Sequence, residues 1–295
     1  EGLAKALQTE FQHKIVRLNW LWNYIPPKFT PISEIVLKDK HYITENKSFD
    51  LVISCGRKSV IPSAIIKKKN TNIFTIHIQD PKINYKNFDI IVAPEHDDLK
   101  GENVISSKGS IHYITQSDID KAKNYLVNKF QNANIVSLIL GGPTKYYSFS
   151  NEQLSQVFKK VKSNFISQGH KALVIPSMRT PKRIIDLAMK EFVKDGFVVN
   201  TVDKQAYLSA LALATNIVVT CDSTSMISEA AASGKPIFIA HMEPKKNNYR
   251  FKKFFQLFRE MGITKELGDK VDNWTYNRLN EADRIATLMS KKLTN

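Results

Sequence analysis

Seven short apolar runs, rich in β-branched residues, recur along the chain, most of them closing on Gly, Pro or Asp. They are DLVISCG (50–56), NIFTIHIQDP (72–81), FDIIVAPEHDD (88–98), NIVSLILGGP (134–143), KALVIPS (171–177), NIVVTCDS (216–223) and KPIFIA (235–240). Each is nearly continuously apolar, as a strand buried on both faces must be. Helical patterns lie between many of them. Ser150 and Gln153 make a capping-box pair, and Leu154, Val157, Phe158, Val161 and Phe165 then form one stripe that stops near Gly169. Thr180-Pro181 opens a further helix with proline at its first position, and Asp195-Gly196 closes it. Alternation of strand and helix implies parallel α/β sheets.

Length and charge narrow the class. At 295 residues, the chain fits two domains of ordinary size. A boundary is expected at LVNKFQNA (126–133), just before IVSLIL, which divides the chain into 1–130, 131–275 and a C-terminal helical segment, 276–295, that belongs to either half, packing back on the first domain being one of the two arrangements. Cys55 and Cys221 form no CxxC, so neither a disulfide framework nor a zinc site is implied. No run approaches the roughly 18 apolar residues of a membrane span. The +15 charge favours anionic partners, either nucleotide phosphates, nucleic acid or an acidic membrane, although Lys enrichment from an AT-rich genome accounts for it equally well.

In parallel α/β sheets, ligands gather at the carboxyl ends of strands, where loops and helix N-termini converge. Gly56-Arg57 follows DLVISC, with Arg57 suited to clamp a phosphate or carboxylate, or simply to sit in a solvated turn. Pro94-Glu95-His96-Asp97-Asp98 sets a histidine among carboxylates, a pattern fit for general-base work and also for a charged surface loop. Gly141-Gly142 forms a turn whose amides can meet a diphosphate, although neither a P-loop nor GxGxxG is present. Arg179, in SMRTP, precedes a helix start and can reach a phosphate. Asp118-Ile119-Asp120 has the DxD form but begins a helix, where carboxylates answer the helix dipole.

The densest polar stretch is Cys221-Asp222-Ser223-Thr224-Ser225-Met226-Ile227-Ser228-Glu229. One hydroxyl or carboxylate suffices to cap a helix, and this turn has several. A capping box cannot explain Glu229, because the residue three before it is Met226. On a helix, Glu229 lies over Ser225 and can accept both hydroxyls of a ribose, while Ser223, Thr224, Ser225 and the free helix amides suit phosphates. His13, His41, His112 and His170 form no ligand spacing; His77 and His241, near strand ends, can approach the same region. The segment NWLWNYIPP (19–27), flanked by Lys14, Arg17 and Lys28, fits either core packing, the preferred reading, or an interfacial contact.

Taken in order, DLVISCGRKS, IQDP, FDIIVAPEHDDLKGENV, GSIHYIT, LILGGP, SMRTP and VVTCDSTSMISEAAASGKP resemble the mitochondrial-fission ELM-like family, whose bacterial members are described as glycosyltransferases of GT-B architecture. Two departures stand out: Met178 lies where the family usually has a second Arg, and Gln205-Ala206-Tyr207 where it has Asn-Pro-Tyr. The family's first strand and Gly-rich, His-containing turn are expected before residue 1, and that turn is a rival source of the catalytic base.

The resemblance implies two Rossmann-like domains facing a cleft, with the nucleotide-sugar on the C-terminal half and the acceptor on the N-terminal half. The donor diphosphate then meets Gly141, Gly142, Ser223, Thr224 and Ser225, with Arg179 neutralising charge and Glu229 on the ribose. His96 or Asp97 serves as base, and Gly56 and Arg57 lie on the acceptor or phosphate side. No metal and no cofactor are implied; the nucleoside diphosphate sugar is a co-substrate. The acceptor is an envelope saccharide or a lipid-linked molecule, the setting is cytoplasmic and peripheral to an anionic inner membrane, and nucleic acid is not a partner. A non-enzymatic membrane-surface adaptor and a nucleotide-sugar epimerase remain as alternatives.

Overall fold

Every strand pairing among the described residues is parallel, as continuous apolar runs require. The computed structural model describes residues 1–40, 49–130, 133–268, 271 and 273–294, so His41 lies outside it. The chain forms two compact units, Glu1–Lys108 with Ala282–Asn295, and Gly109–Glu281.

The first unit starts with a short helix, α1 (Gly2–Ala6), and continues through β1 (Leu51–Cys55), α2 (Val60–Lys69), β2 (Phe74–Ile78), β3 (Ile90–Pro94) and β4 (Val104–Ser107). Its sheet runs in the order β1-β2-β3-β4. Val60, Ile61, Ala64 and Ile65 of α2 pack on Ile91 and Ala93, and Leu18, Val36 and Leu37 of the N-terminal segment complete the cluster. Asp89, just before β3, fixes the register: its carboxylate accepts from the Thr75 amide (2.7 Å) and hydroxyl (3.0 Å) and pairs with Lys67 of α2 (2.8 Å).

Two expectations for this unit change. His77 lies inside β2, fully buried, and takes no part in a strand-end cluster. Its Nδ1 is 2.8 Å from the Ser54 hydroxyl, whose proton goes to the Ile76 carbonyl, while Nε2 is buried without a partner. The ring therefore stays neutral, and burial lowers its pKa to about 4. The segment 19–27 is also not simply core. Trp22 packs on the cluster, but Trp20 and Tyr24 are 77% and 80% exposed. A four-residue 3₁₀ turn, Trp20–Asn23, is too short to bury one continuous stripe, so alternate aromatics face solvent.

The second unit contains α3 (Gln116–Ala122), β5 (Ile135–Leu140), α4 (Asn151–Asn164), β6 (Lys171–Pro176), α5 (Lys182–Phe192), β7 (Gly196–Val198), α6 (Lys204–Leu213), β8 (Asn216–Thr220), α7 (Thr224–Ala231), β9 (Ile237–Ala240), α8 (Tyr249–Glu260) and β10 (Thr264–Glu266). The sheet order is β10-β9-β8-β5-β6-β7. Counted from the other edge, this is the Rossmann order 3-2-1-4-5-6, whose strand sequence reverses between β5 and β8. α9 (Glu281–Thr294) follows, and from Ala282 it counts with the first unit.

Residues 109–130 also count with the second unit, so the division falls at Lys108/Gly109, not near residue 131. Side-chain bonds explain it. The Leu126 amide donates to Ser209 Oγ (3.2 Å), and the Tyr125 hydroxyl to Asp203 (2.7 Å), tying this segment to α6.

Local signals act largely as the sequence suggests. Ser150 and Gln153 form the capping box of α4, which buries Leu154, Val157, Phe158 and Val161 in one stripe. Thr115 and Asp118 form another capping box, Ile119 is buried, and Asp120 accepts from Gln116 (2.7 Å), so the DxD residues serve α3 itself. Pro181 is the N-cap of α5, one place before the expected position, and the helix ends at Phe192. Gly196 opens β7 and does not close α5; a Cβ there would lie 1.9 Å from the Ala172 carbonyl oxygen, so strand contact demands glycine.

Phe165 is fully buried, edge-on to Phe238 at 5.4 Å. Phe165→Ala is expected to lower unfolding free energy by about 3–5 kcal/mol, whereas Trp20→Ala should change it by about 0.5 kcal/mol or less, both measured by urea denaturation. Because the folded pKa of His77 is depressed, its contribution is complete above the unfolded value of 6.5 and is lost as pH falls toward about 4. The loss should be on the order of 3 kcal/mol, and the pH dependence of unfolding should flatten by that amount in His77→Gln.

Candidate functional site

The strand order reverses between β5 and β8, and open α/β sheets bind ligands at the carboxyl ends of the strands at such a switch point. Gly141-Gly142 leaves β5 there, and Cys221-Asp222-Ser223 leaves β8. Their meeting point is the Asp222 carboxylate, whose side chain is fully buried. Its Oδ1 accepts from the Thr220 hydroxyl (2.7 Å), and its Oδ2 accepts from the Gly142 amide (3.3 Å) and Arg179 Nη2 (2.9 Å). The Gly141 amide donates to Thr220 Oγ1 (2.8 Å), completing the chain of bonds.

The expectation that the amides of Gly141 and Gly142 face a diphosphate is therefore corrected, since both are engaged inside the protein. The reason for glycine is steric. A Cβ on Gly141 would lie 2.0 Å from Asp222 Oδ1, and one on Gly142 1.9 Å from the Arg179 carbonyl oxygen. Arg179 is positioned by its own turn, in which the Thr180 hydroxyl bridges the carbonyls of Leu140 (2.7 Å) and Gly141 (2.9 Å) and accepts from the Ser177 amide (2.8 Å). Its guanidinium is held by Asp222 while 47% of the side chain stays exposed.

Ser223 caps α7, its Oγ accepting from the Met226 amide (3.4 Å). That leaves Thr224 and Ser225 in the first turn, where helix geometry supplies no acceptor for the amides. Ser225 is exposed, and its hydroxyl lies 3.4 Å from that of Ser110. One turn on, Glu229 Oε2 accepts from the Tyr207 hydroxyl at 3.0 Å. Burial raises the Glu229 pKa against the opposing effect of that bond, and burial followed by the Glu229 charge raises that of Tyr207. Glu229 thus has its partner on α6, and it is Ser110, not Glu229, that Ser225 meets.

Cys221 is buried beside the site, and its thiol is pushed up to about 12 by burial, which rules out a ready thiolate. His112 is kept neutral, its pKa lowered by burial. His241 pairs with Glu266 at 2.5 Å at the end of β9.

The remaining candidates belong to the first unit. His96 and Asp97 lie in a 3₁₀ turn after β3, Nε2 to Oδ1 3.6 Å, next to Glu95, which pairs with Lys108 (2.6 Å). Gly56 follows β1 with φ 81°. Arg57 donates to the backbone carbonyls of Asn23 and Ile25 (3.0 Å to the latter), so it holds the N-terminal segment in place. The described residues contain no group of three or more His, Cys, Asp or Glu able to hold a metal, and no helix long and apolar enough to cross a membrane.

Sequence reasoning missed Asp222, Thr220 and Tyr207. The available signal for Asp222 was its place directly after the strand VVTC, at a carboxyl strand end, whereas its position opposite the Gly-Gly turn comes only from the pairing of β5 with β8.

Two parallel α/β units, one with the Rossmann strand order, define the GT-B class of fold. The chain belongs to the Mitochondrial fission ELM1 family, whose profile matches residues 1–293. An uncharacterized protein of Rickettsia prowazekii (strain Madrid E) is 27% identical, with 98% of this chain and 90% of that protein covered. The Mitochondrial fission protein ELM1 of Arabidopsis thaliana is 24% identical, with 82% of this chain and 64% of that protein covered. Among solved structures, the UDP-GlcNAc 2-epimerase of Neisseria meningitidis bound to UDP-GlcNAc is similar with a TM-score of 0.50 and 11% identity, covering 83% of this chain and 76% of that one. S. aureus MnaA, in a co-structure with UDP, has a TM-score of 0.51 and 13% identity, with 100% and 77% covered.

Gly141→Ala should cost about 1–3 kcal/mol through the clash with Asp222. In a double-mutant cycle with Asp222→Ala, measured by urea unfolding, the combined loss should fall short of the sum by at least about 0.5 kcal/mol, because the smaller residue 222 removes the clash.

Proposed function

We propose that the second unit binds a nucleoside diphosphate sugar across the carboxyl ends of β5 and β8, and that the protein is a metal-independent glycosyltransferase acting on an envelope saccharide or a lipid-linked acceptor. The observation that carries this reading is the Asp222–Arg179 pair at the point of strand reversal. A guanidinium held on one edge by a buried carboxylate and open on the other is preorganised for a phosphate.

In this reading the diphosphate lies against Arg179 and the hydroxyls and amides of Thr224 and Ser225, with Ser223 shaping the helix start. Gly141 and Gly142 contribute close approach, not donors. Glu229 takes the ribose hydroxyls through the oxygen that Tyr207 leaves open. The acceptor hydroxyl attacks the anomeric carbon, the bond from that carbon to the diphosphate oxygen breaks, and the hydroxyl proton passes to His96 or Asp97. The leaving negative charge falls on Arg179 and the start of α7. The nucleotide sugar is a co-substrate, and no resident cofactor is needed. The chain works in the cytoplasm, peripheral to the inner membrane.

The two similar solved structures are bound to UDP-GlcNAc and to UDP, which supports a uridine nucleotide as the first ligand to test. An adaptor role at a membrane surface is the second reading, favoured by the exposure of Trp20 and Tyr24. An epimerase would convert the sugar nucleotide without any acceptor.

A thermal-shift panel of UDP, GDP, CDP and ADP and their sugars tests the donor site. One nucleotide at about a hundred times its Kd should stabilise the protein by about 2.7 kcal/mol. Glu229→Ala should abolish that shift, and Tyr207→Phe should weaken it. Absence of any shift across the panel would sink the donor assignment, and sugar conversion without acceptor would replace transfer by epimerisation.

A further inference from the structure

The first unit has a cavity of about 360 Å³ that the donor reading does not use. Its size falls in the range of small-molecule sites. It lies at the carboxyl ends of β1 and β2, between Arg57, the loop Gln79–Lys82 and the 3₁₀ turn Pro27–Phe29. Lys28, Arg57 and Lys82 bring three cations to it, and Asp80 one carboxylate, a net of +2. Asp80 is already occupied by its own loop, accepting from the Lys82 amide at 2.9 Å and pairing with the Lys82 ammonium.

The backbone around the cavity is unusual. Gly56, Gln79 and Lys82 adopt φ of 81°, 89° and 59°, and the last two are not glycine. Such conformations are costly and cluster where ligands are held. Arg57 draws Asn23 and Ile25 over the strand ends through their carbonyls, so the cavity wall is tied to the N-terminal segment. At its rim, Lys28 Nζ lies 4.5 Å from the centre of the Phe29 ring, which is 67% exposed, and the same segment exposes Trp20 and Tyr24.

We propose that this cavity takes the phosphate or diphosphate of a lipid-borne ester, with the charged head between Lys28, Arg57 and Lys82 and the apolar chain over Phe29, Tyr24 and Trp20. A phosphate monoester carries about −1.5 to −2 at neutral pH, which matches the cavity's net charge. Exposed aromatics beside lysines are the side chains that settle at a bilayer's headgroup level. The assignment names the acceptor class for the transfer reading and rests on that reading only for the word acceptor, because binding here needs no nucleotide.

The test uses the full chain carrying Arg179→Ala, which removes the phosphate clamp of the second unit. Inorganic pyrophosphate is titrated calorimetrically, and flotation is measured with phosphatidylcholine vesicles with and without phosphatidic acid. Pyrophosphate should bind, and the pair Lys28→Glu and Lys82→Glu should weaken it by at least about tenfold. Both positions are exposed, and the neutral pair Lys28→Ala and Lys82→Ala should give a smaller loss in the same direction. Phosphatidic acid should increase flotation, and Trp20→Ala with Phe29→Ala should remove that gain while leaving pyrophosphate affinity unchanged. Pyrophosphate binding that ignores Lys28 and Lys82, or no binding at all, overturns the site. Lysine-dependent pyrophosphate binding without any gain from phosphatidic acid overturns the lipid source in favour of a soluble phosphate ester. Nucleotide shifts on the unsubstituted chain are scored separately, so loss of the donor reading leaves this result standing, and the reverse.

Discussion

The buried carboxylate of Asp222 organises the second unit's strand ends. It joins β8 to the turn after β5 through Gly142, to its own strand through Thr220, and to the turn before α5 through Arg179. A charge this deep is tolerated only with its hydrogen bonds filled. The demand propagates outward: Gly141 and Gly142 must lack side chains, Thr220 must present a hydroxyl, and Arg179 must stay near. The same arrangement leaves one edge of the guanidinium toward solvent, next to the first turn of α7. What looks from composition like a surplus of hydroxyls around the end of β8 is a division of labour: Thr220 holds the carboxylate, Ser223 caps the helix, and Ser225 and Ser228 bond to Ser110.

The first unit follows a different logic. Among the described residues its sheet shows no reversal of strand order, and its candidate site is built by drawing an irregular N-terminal segment over the ends of β1 and β2. Arg57 does this through backbone carbonyls that take only its Nη2, so one guanidinium both ties down the cavity wall and brings positive charge to the cavity. The cost of the left-handed backbone at Gln79 and Lys82 is met by the Asx-type bond from Asp80 and by the strand-like bond from the Gln79 amide to Val92. Membership of the Mitochondrial fission ELM1 family and the likeness to the two solved structures agree with this two-unit architecture.

Much of the fold was legible because its signals are local. Continuous apolar runs such as IVSLIL declare burial on both faces; the capping box at Ser150 and Gln153 and the stripe from Leu154 to Val161 declare α4. The errors were also physical. His77 reads as a strand-end histidine because the run continues in hydrophilic residues, yet its ring is taken up by Ser54 on the neighbouring strand, a partner 23 positions away. Trp20 and Tyr24 read as core by type, but a single 3₁₀ turn cannot bury every aromatic that it carries.

By itself the sequence determined the parallel α/β class, several of the helix starts and the location of polar clusters at strand ends, because periodicity, caps and apolar runs act within about ten residues. Tertiary structure alone decided which strands are neighbours, that Gly141 and Gly142 serve close packing, that Glu229 answers to Tyr207 and Arg179 to Asp222, and that residues 109–130 count with the second unit. The hydrogen bonds behind those outcomes join residues 22 to 83 positions apart. Nothing in local spacing encodes such pairs, since each depends on the order in which β8 and β6 flank β5.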